Sequence, residues 1–221
     1  MNTRIQSDRT VIAGPVGGIE VLAEQPDHAP RALALIGHPH PLFGGTMDNK
    51  VVVTVARALR ELGCVTLRSQ FRGVGATEGT HDEGHGETDD QLAVIEHGLN
   101  AYGDLPVIVA GFSFGAFVAT RVADRLAENG RPVAGMVLVG LAAGSVEGIR
   151  HYAPGPVRED ALVIHGERDQ VVPLANVLAW SAPQNLPVAV LGDTGHFFHG
   201  KLHVLRLLIE RWWRATAPAG Q

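Results

Sequence analysis

Apolar positions along the chain fall into two rhythms. Near the N-terminal end, residues 10–13 and 19–23 are apolar-rich runs on either side of Gly14-Pro15-Val16-Gly17-Gly18, a turn composition, and the pair predicts an antiparallel hairpin. From residue 33 onward, short and nearly continuous apolar runs recur at 33–37, 65–71, 107–112, 136–140, 161–165 and 188–191. A strand that is apolar on both faces has to be covered on both faces. These runs therefore predict a mostly parallel, twisted sheet of about eight strands, counting the hairpin, with helices on either side. The intervening segments supply the helices. Residues 49–62 carry Val52, Val55, Ala56, Leu59 and Leu62 on one face and stop at Gly63, and residues 88–99 align Leu92, Ile95 and Leu99. Residues 114–126 run to a stop at Asn129-Gly130, and a last helix covers residues 201–213. The predicted class is α/β. No repeat, low-complexity tract or Ser/Pro-rich linker divides the chain, so residues 1–221 are expected to form one domain.

Composition narrows the function. Of 221 residues, 45% are hydrophobic, enough for a sizeable core. The formal net charge of -5, with no run of Lys or Arg able to neutralise a row of phosphates, argues against a nucleic-acid partner. Cys64 is the only cysteine, so no intrachain disulfide forms, and it is expected to be a small buried filler. Residues 1–10 are polar and lack the apolar core of a leader, and no stretch is apolar for long enough to span a bilayer. A cytoplasmic protein, monomer or homodimer, is the expectation.

The chemistry begins at Gly111-Phe112-Ser113-Phe114-Gly115, which joins the strand at 107–112 to the helix at 114–126. A serine on a sharp strand-to-helix turn is raised above the sheet, and glycines two residues to either side let strand and helix approach. The helix then directs the positive end of its dipole at the serine oxygen. Ser113 is the candidate nucleophile.

With that turn in place, the chain resembles the α/β-hydrolase superfamily over nearly its whole length, and in particular the small bacterial serine hydrolases that lack a lid. In that family the acid follows a late strand and the histidine follows the last one. Gly166-Glu167-Arg168-Asp169-Gln170-Val171-Val172-Pro173 resembles the acid loop, and Gly192-Asp193-Thr194-Gly195-His196-Phe197-Phe198 resembles the histidine loop. The resemblance implies Asp169 as the orienting acid and His196 as the base. Glu167, in the same turn, and Asp193, three residues before the histidine, remain alternatives for the acid. His199 and His203 are four apart, a spacing that suits a metal, yet no third ligand or helix-borne glutamate accompanies them. They are read as solvated or capping, and neither metal nor cofactor is expected.

The family also places two backbone N–H groups around the reacting oxygen, one from the residue after the nucleophile and one from the loop after the third strand. The first implies Phe114. The second loop, Gly37-His38-Pro39-His40-Pro41-Leu42-Phe43-Gly44-Gly45, resembles a variant of the family's H-G-x-x-G segment. Pro39 and Pro41 carry no N–H and cannot donate, and the resemblance places the family's donor after His-Pro, which implies His40 as first choice and Leu42 as second. His38 is read as a polar link to a neighbouring loop, and Asp48 or Asn49 as the cap of the next helix. Gly73, Gly75 and Gly79 follow Arg72 without the Gly-Lys-Ser/Thr of a phosphate loop, and Arg72 is expected to pair with Asp89 or Asp90. Only twenty residues separate Gly140 from the strand at 161–165, too few for a cap domain. The resemblance therefore implies an open site edged by Phe43, Phe114, Tyr152, Phe197 and Phe198, with some of these expected in the core instead. The implied activity is hydrolysis of a small-molecule ester or thioester through an acyl-serine, with amidase or acyltransferase chemistry on the same residues. A binding protein that keeps the fold without turnover is the reading from another class.

Overall fold

The computed structural model describes residues 6–146 and 150–216. The polar stretch at 1–10 is therefore described only from residue 6, and part of the connection between residues 140 and 161 lies outside the described residues. Strands β1 (Ser7–Ala13) and β2 (Gly18–Glu24) form the hairpin, with Ala13 opposite Gly18. They are followed by β3 (Ala32–Gly37), α1 (Lys50–Glu61), β4 (Cys64–Ser69), α2 (His85–Tyr102), β5 (Val107–Phe112) and α3 (Phe114–Glu128). Then come β6 (Gly135–Val139), a small hairpin of β7 (Gly144–Val146) and β8 (Arg150–Tyr152), β9 (Leu162–Gly166), α4 (Leu174–Ser181), β10 (Val188–Leu191) and α5 (Leu202–Thr216). Eight strands form one mixed sheet in the order β1-β2-β4-β3-β5-β6-β9-β10. The six from β4 to β10 run parallel, and β2 meets β4 antiparallel.

Burial follows from the doubly apolar strands. Alternate residues of β3, Ala34 and Ile36, pack on one face with Val51, Val55 and Leu59 of α1 and Leu205, Ile209 and Trp213 of α5. Leu33 and Leu35 pack on the other face with Val94 and Ile95 of α2 and Val118 and Val122 of α3. Cys64 lies within the first of these cores, and burial pushes its thiol up to about 12, which keeps it protonated and inert. Trp212 and Trp213 are core residues of α5. Trp180 is partly buried, and its indole N–H is shared between the carbonyls of Pro154 and Gly155.

Two local departures from the sequence expectations have physical reasons, while the expected lack of a cap between β6 and β9 agrees with the described residues. Helix α2 begins three residues before the predicted start at residue 88, because the Glu87 carboxylate reaches back to accept the N–H of Gly84 at 2.8 Å and of Asp82 at 2.9 Å. Helix α4, unforeseen, reads Leu-Ala-Asn-Val-Leu-Ala-Trp-Ser, so apolar that no polar face contrasts with a buried one. Between β6 and β9 the described residues form only the β7–β8 hairpin and its flanks, with no cap domain.

The strand order also fixes where a site can form. From β3 the chain moves outward to β4, then crosses back to β5 on the other side of β3. The segments leaving the carboxyl ends of β3 and β5 therefore diverge, one toward α1 on one face and the other into α3 on the opposite face. A crevice opens at such a switch point.

Candidate active site

Ser113 sits at that crevice, between β5 and the first residue of α3. Its backbone takes φ 56° and ψ -118°, a region that costs a non-glycine residue about 1–3 kcal/mol and persists only where the surroundings hold it. They do so here. The Ser113 N–H donates to the Val139 carbonyl at 2.9 Å, and its own carbonyl accepts from Ala116 at 3.0 Å, Phe117 at 3.2 Å and Ala142 at 3.3 Å. The flanking glycines permit the turn by close approach: a Cβ on Gly111 would lie 2.2 Å from the Gly115 carbonyl carbon, and one on Gly115 would lie 2.3 Å from that of Gly37. Three backbones thus meet without side chains between them.

His196 reaches this serine from the loop after β10. Its Nε2 lies 3.0 Å from Ser113 Oγ and its Nδ1 lies 2.7 Å from Asp169 Oδ2, so Nδ1 carries the proton donated to the carboxylate and Nε2 faces the hydroxyl. The Phe112 ring backs the imidazole, with centroids 4.9 Å apart. The other Asp169 oxygen accepts the N–H groups of Val171 at 2.9 Å and Val172 at 2.8 Å, which fixes the carboxylate in its turn. Acid and base loops are laced together: Glu167 N–H donates to Leu191 O, Arg168 N–H to Thr194 O, and Asp193 N–H to the Glu167 carboxylate. Gly166 allows this contact, since a Cβ there would stand 2.4 Å from Thr194 O. Glu167 thereby serves as a brace between the loops. Asp193 is exposed and pairs with Arg168 at 2.6 Å, so neither of the alternative acids touches the imidazole.

On the far side of the serine lies the β3 loop. His38 accepts the Phe71 N–H at Nε2, 2.8 Å, and its Nδ1 donates to Pro39 O at 2.6 Å. This is the loop-to-loop link read from the sequence, and burial lowers its pKa to about 4, which keeps the ring neutral. His40 Nδ1 accepts the Leu42 N–H at 3.3 Å, while the ring packs among Phe43, His81 and Phe114 at centroid distances of 4.9, 4.5 and 4.9 Å. Burial, followed by the charges of His81 and Arg150, lowers its pKa to about 4 as well. Among the described residues, the backbone N–H groups of His40 and Phe114 make no hydrogen bond. Asn49, not Asp48, caps α1 through Val51 N–H at 2.9 Å. Arg72 forms a two-pronged pair with Asp90 at 2.7 and 3.0 Å, whereas Asp89 pairs with Arg125.

The five aromatics divide between rim and core. Phe43 and Phe197 are exposed, but Phe114, Tyr152 and Phe198 are buried. Phe198 turns inward at φ 53° and joins the core under α5, while Phe114 fills the junction of α3 with the β3 loop. His199 and His203 are exposed, and among the described residues no cluster of side chains is arranged to hold a metal.

Two groups near the site went unforeseen. His165, fully buried at the end of β9, donates Nε2–H to Val172 O at 2.9 Å and lies 3.4 Å from Asp169 Oδ2, so it props the acid turn from below. The only signal for it was a polar residue closing an otherwise apolar strand. The second is a cavity of about 650 Å³ next to His40, lined by residues that include Phe43, His81, His85, Phe117 and Arg121. Its signal was the density of histidines and acids in residues 81–87, between β4 and the apolar part of α2.

Residues 34–204 match the model of a family described as an alpha/beta hydrolase domain. An alpha-beta serine hydrolase homologue from Coxiella burnetii is 38% identical, with 92% of this chain and 96% of that chain covered and a TM-score of 0.80. A serine hydrolase without a lid from Xanthomonas campestris is 34% identical over 98% of this chain and 97% of its own, with a TM-score of 0.85. An uncharacterised protein of Rickettsia prowazekii is 33% identical over 168 residues, 72% of this chain and 66% of that protein.

Proposed function

The chain belongs to the alpha/beta hydrolase family, and from that premise we propose that it hydrolyses carboxylic esters through an acyl-serine at Ser113, with His196 as base and Asp169 as its orienting acid. The observation that carries the reading is the pair of contacts at one imidazole, 3.0 Å to an alcohol and 2.7 Å to a carboxylate.

The reaction follows from these positions. As Ser113 Oγ attacks the ester carbonyl, its proton passes to His196 Nε2, and Asp169 stabilises the resulting imidazolium through Nδ1–H. The carbonyl oxygen becomes an anion, which the N–H groups of Phe114 and His40 receive together with the N-terminal end of α3. The Leu42 N–H is already engaged with His40 Nδ1, which supports His40 as the loop donor. The proton on Nε2 then moves to the departing alkoxide, leaving an acyl ester on Ser113. Water entering the same position gives a proton to Nε2 as its oxygen bonds the acyl carbon, and that proton passes to Ser113 Oγ as the acyl–Oγ bond breaks and the acid leaves. Without a cap among the described residues, the crevice is open to small or exposed acyl groups.

A fluorescent fluorophosphonate tests the assignment. The wild type should label within minutes, while folded Ser113→Ala should not label and His196→Gln should label at least 100-fold more slowly. Equal labelling of all three would overturn the reading.

A further inference from the structure

The cavity next to His40 differs in charge from the rest of this acidic chain. Its lining brings together the Arg121 guanidinium and the imidazoles of His40, His81, His85 and His151, and Glu83 is the one carboxylate among the described lining residues. We propose that this cavity binds an anionic group of the substrate, a carboxylate or a phosphate, so that the preferred esters carry a negative charge roughly 10–12 Å from the ester carbonyl. That distance is the rise of the eight residues of α3 separating Arg121 from Ser113. The inference rests on the serine-hydrolase reading for the position of the reacting carbonyl.

Arg121 carries the argument. Its neighbours among the arginines are neutralised by acids: Arg125 by Asp89 at 3.3 Å, and Arg131 by Asp104 at 2.6 Å. Among the described residues Arg121 has no carboxylate at ion-pair distance; Asp124, one turn along α3, lies beyond it. One of its N–H groups donates to His85 Nδ1 at 2.7 Å, and its carbon stands 5.7 Å from the centre of the Phe117 ring. A neutral imidazole orients the guanidinium without cancelling its charge, and the same bond leaves His85 with its proton on Nε2, a further donor. Glu87, which contacts the lining residue His81, is already occupied: fully buried, it accepts from Asp82 and Gly84 N–H and lies 2.8 Å from His81 Nδ1. A held guanidinium with unused N–H groups, beside imidazoles, matches the planar oxygens of a carboxylate or phosphate. Exposed Leu42 and Phe43, together with Phe117, supply apolar surface for the chain that links such a group to the ester.

The test compares p-nitrophenyl esters of nonanoic acid, of nonanedioic acid with its far carboxylate free, and of the analogue ending in phosphate. A parallel set carries the same end groups on the alcohol half. In at least one half, an anionic end should raise kcat/KM at least tenfold over the methyl end at low ionic strength. The gain should shrink in 0.5 M salt and fall below threefold in Arg121→Gln, whose activity on the methyl-ended ester should stay within twofold of wild type and so report its folding. Whether carboxylate or phosphate shows the larger gain identifies the anion. Parity of anionic and neutral ends in both halves, with the neutral esters still hydrolysed, would overturn the subsite and leave the hydrolase reading intact. If no ester is turned over, calorimetry of nonanedioate binding to Ser113→Ala decides separately. Binding weakened at least fivefold by adding Arg121→Gln supports the subsite, and absence of binding or indifference to that change overturns it.

Discussion

Three histidines surround the β3–β5 crevice, and they divide into two kinds. His196, on the β10 side, is 6% exposed and has a carboxylate behind Nδ1 and an alcohol before Nε2. His38 and His40, on the β3 side, are 0% and 7% exposed, and both rings bind backbone groups instead. Burial is therefore common to both kinds and does not distinguish the proposed base from a strut. What distinguishes them is the second partner. Desolvation disfavours the imidazolium and is the largest cause of the lowering of His38 and His40 to about 4, and among the described residues neither ring has a carboxylate at hydrogen-bond distance.

The largest effects should fall on the β10 side. Ser113→Ala or His196→Gln should lower kcat by roughly 10⁴- to 10⁶-fold with little change in thermal unfolding, as steady-state assays on a p-nitrophenyl ester would measure. Asp169→Asn should cost about 10⁴-fold, because an amide at this position favours the wrong imidazole tautomer. A loss below tenfold would mean that the carboxylate does not orient the base, and the contrast between the two sides would break.

The β3 side should answer in stability rather than turnover. His38 binds its proton less readily folded, at about 4, than unfolded, near 6.5. Between those values the unfolded chain holds more protons, so stability is full above pH 6.5 and falls as the pH drops toward 4, by about 3 kcal/mol for this group. Urea unfolding at several pH values should show that slope, and His38→Gln should reduce it by about one proton. A slope unchanged in the variant would contradict the assignment. The smallest effect concerns the seam beneath His38. In Gly115→Ala the new methyl must push the backbone of Gly37 aside, for a loss of about 1–3 kcal/mol in the same unfolding experiment.

How much of this was legible in the sequence depended on how far each contact reaches. Strands β5 and β10 carry the boundaries their apolar runs predicted: β5 is buried throughout, so no polar residue interrupts its run, and the run of edge strand β10 is bounded by Pro187 and Gly192. The elbow was legible because its glycines and serine are contiguous. His196 and Asp169 came from resemblance, as 27 residues separate them and nothing local announces their contact. The choice between His40 and Leu42 depends on one side chain folding back onto its own loop, and the cavity's charge on four segments converging, neither of which leaves a periodic trace. Helix α4 was missed for the opposite reason: its apolar residues offer no contrast between faces.

The account turns on Ser113 acting through His196, and trapping the covalent intermediate tests it most directly. The enzyme mixed with p-nitrophenyl acetate and quenched in acid during the first turnover should yield, by peptide mass spectrometry, one acetylated site at Ser113, absent from Ser113→Ala and formed at least 100-fold more slowly in His196→Gln. Acetyl transfer to another residue, or ester turnover that persists in folded Ser113→Ala, would contradict it.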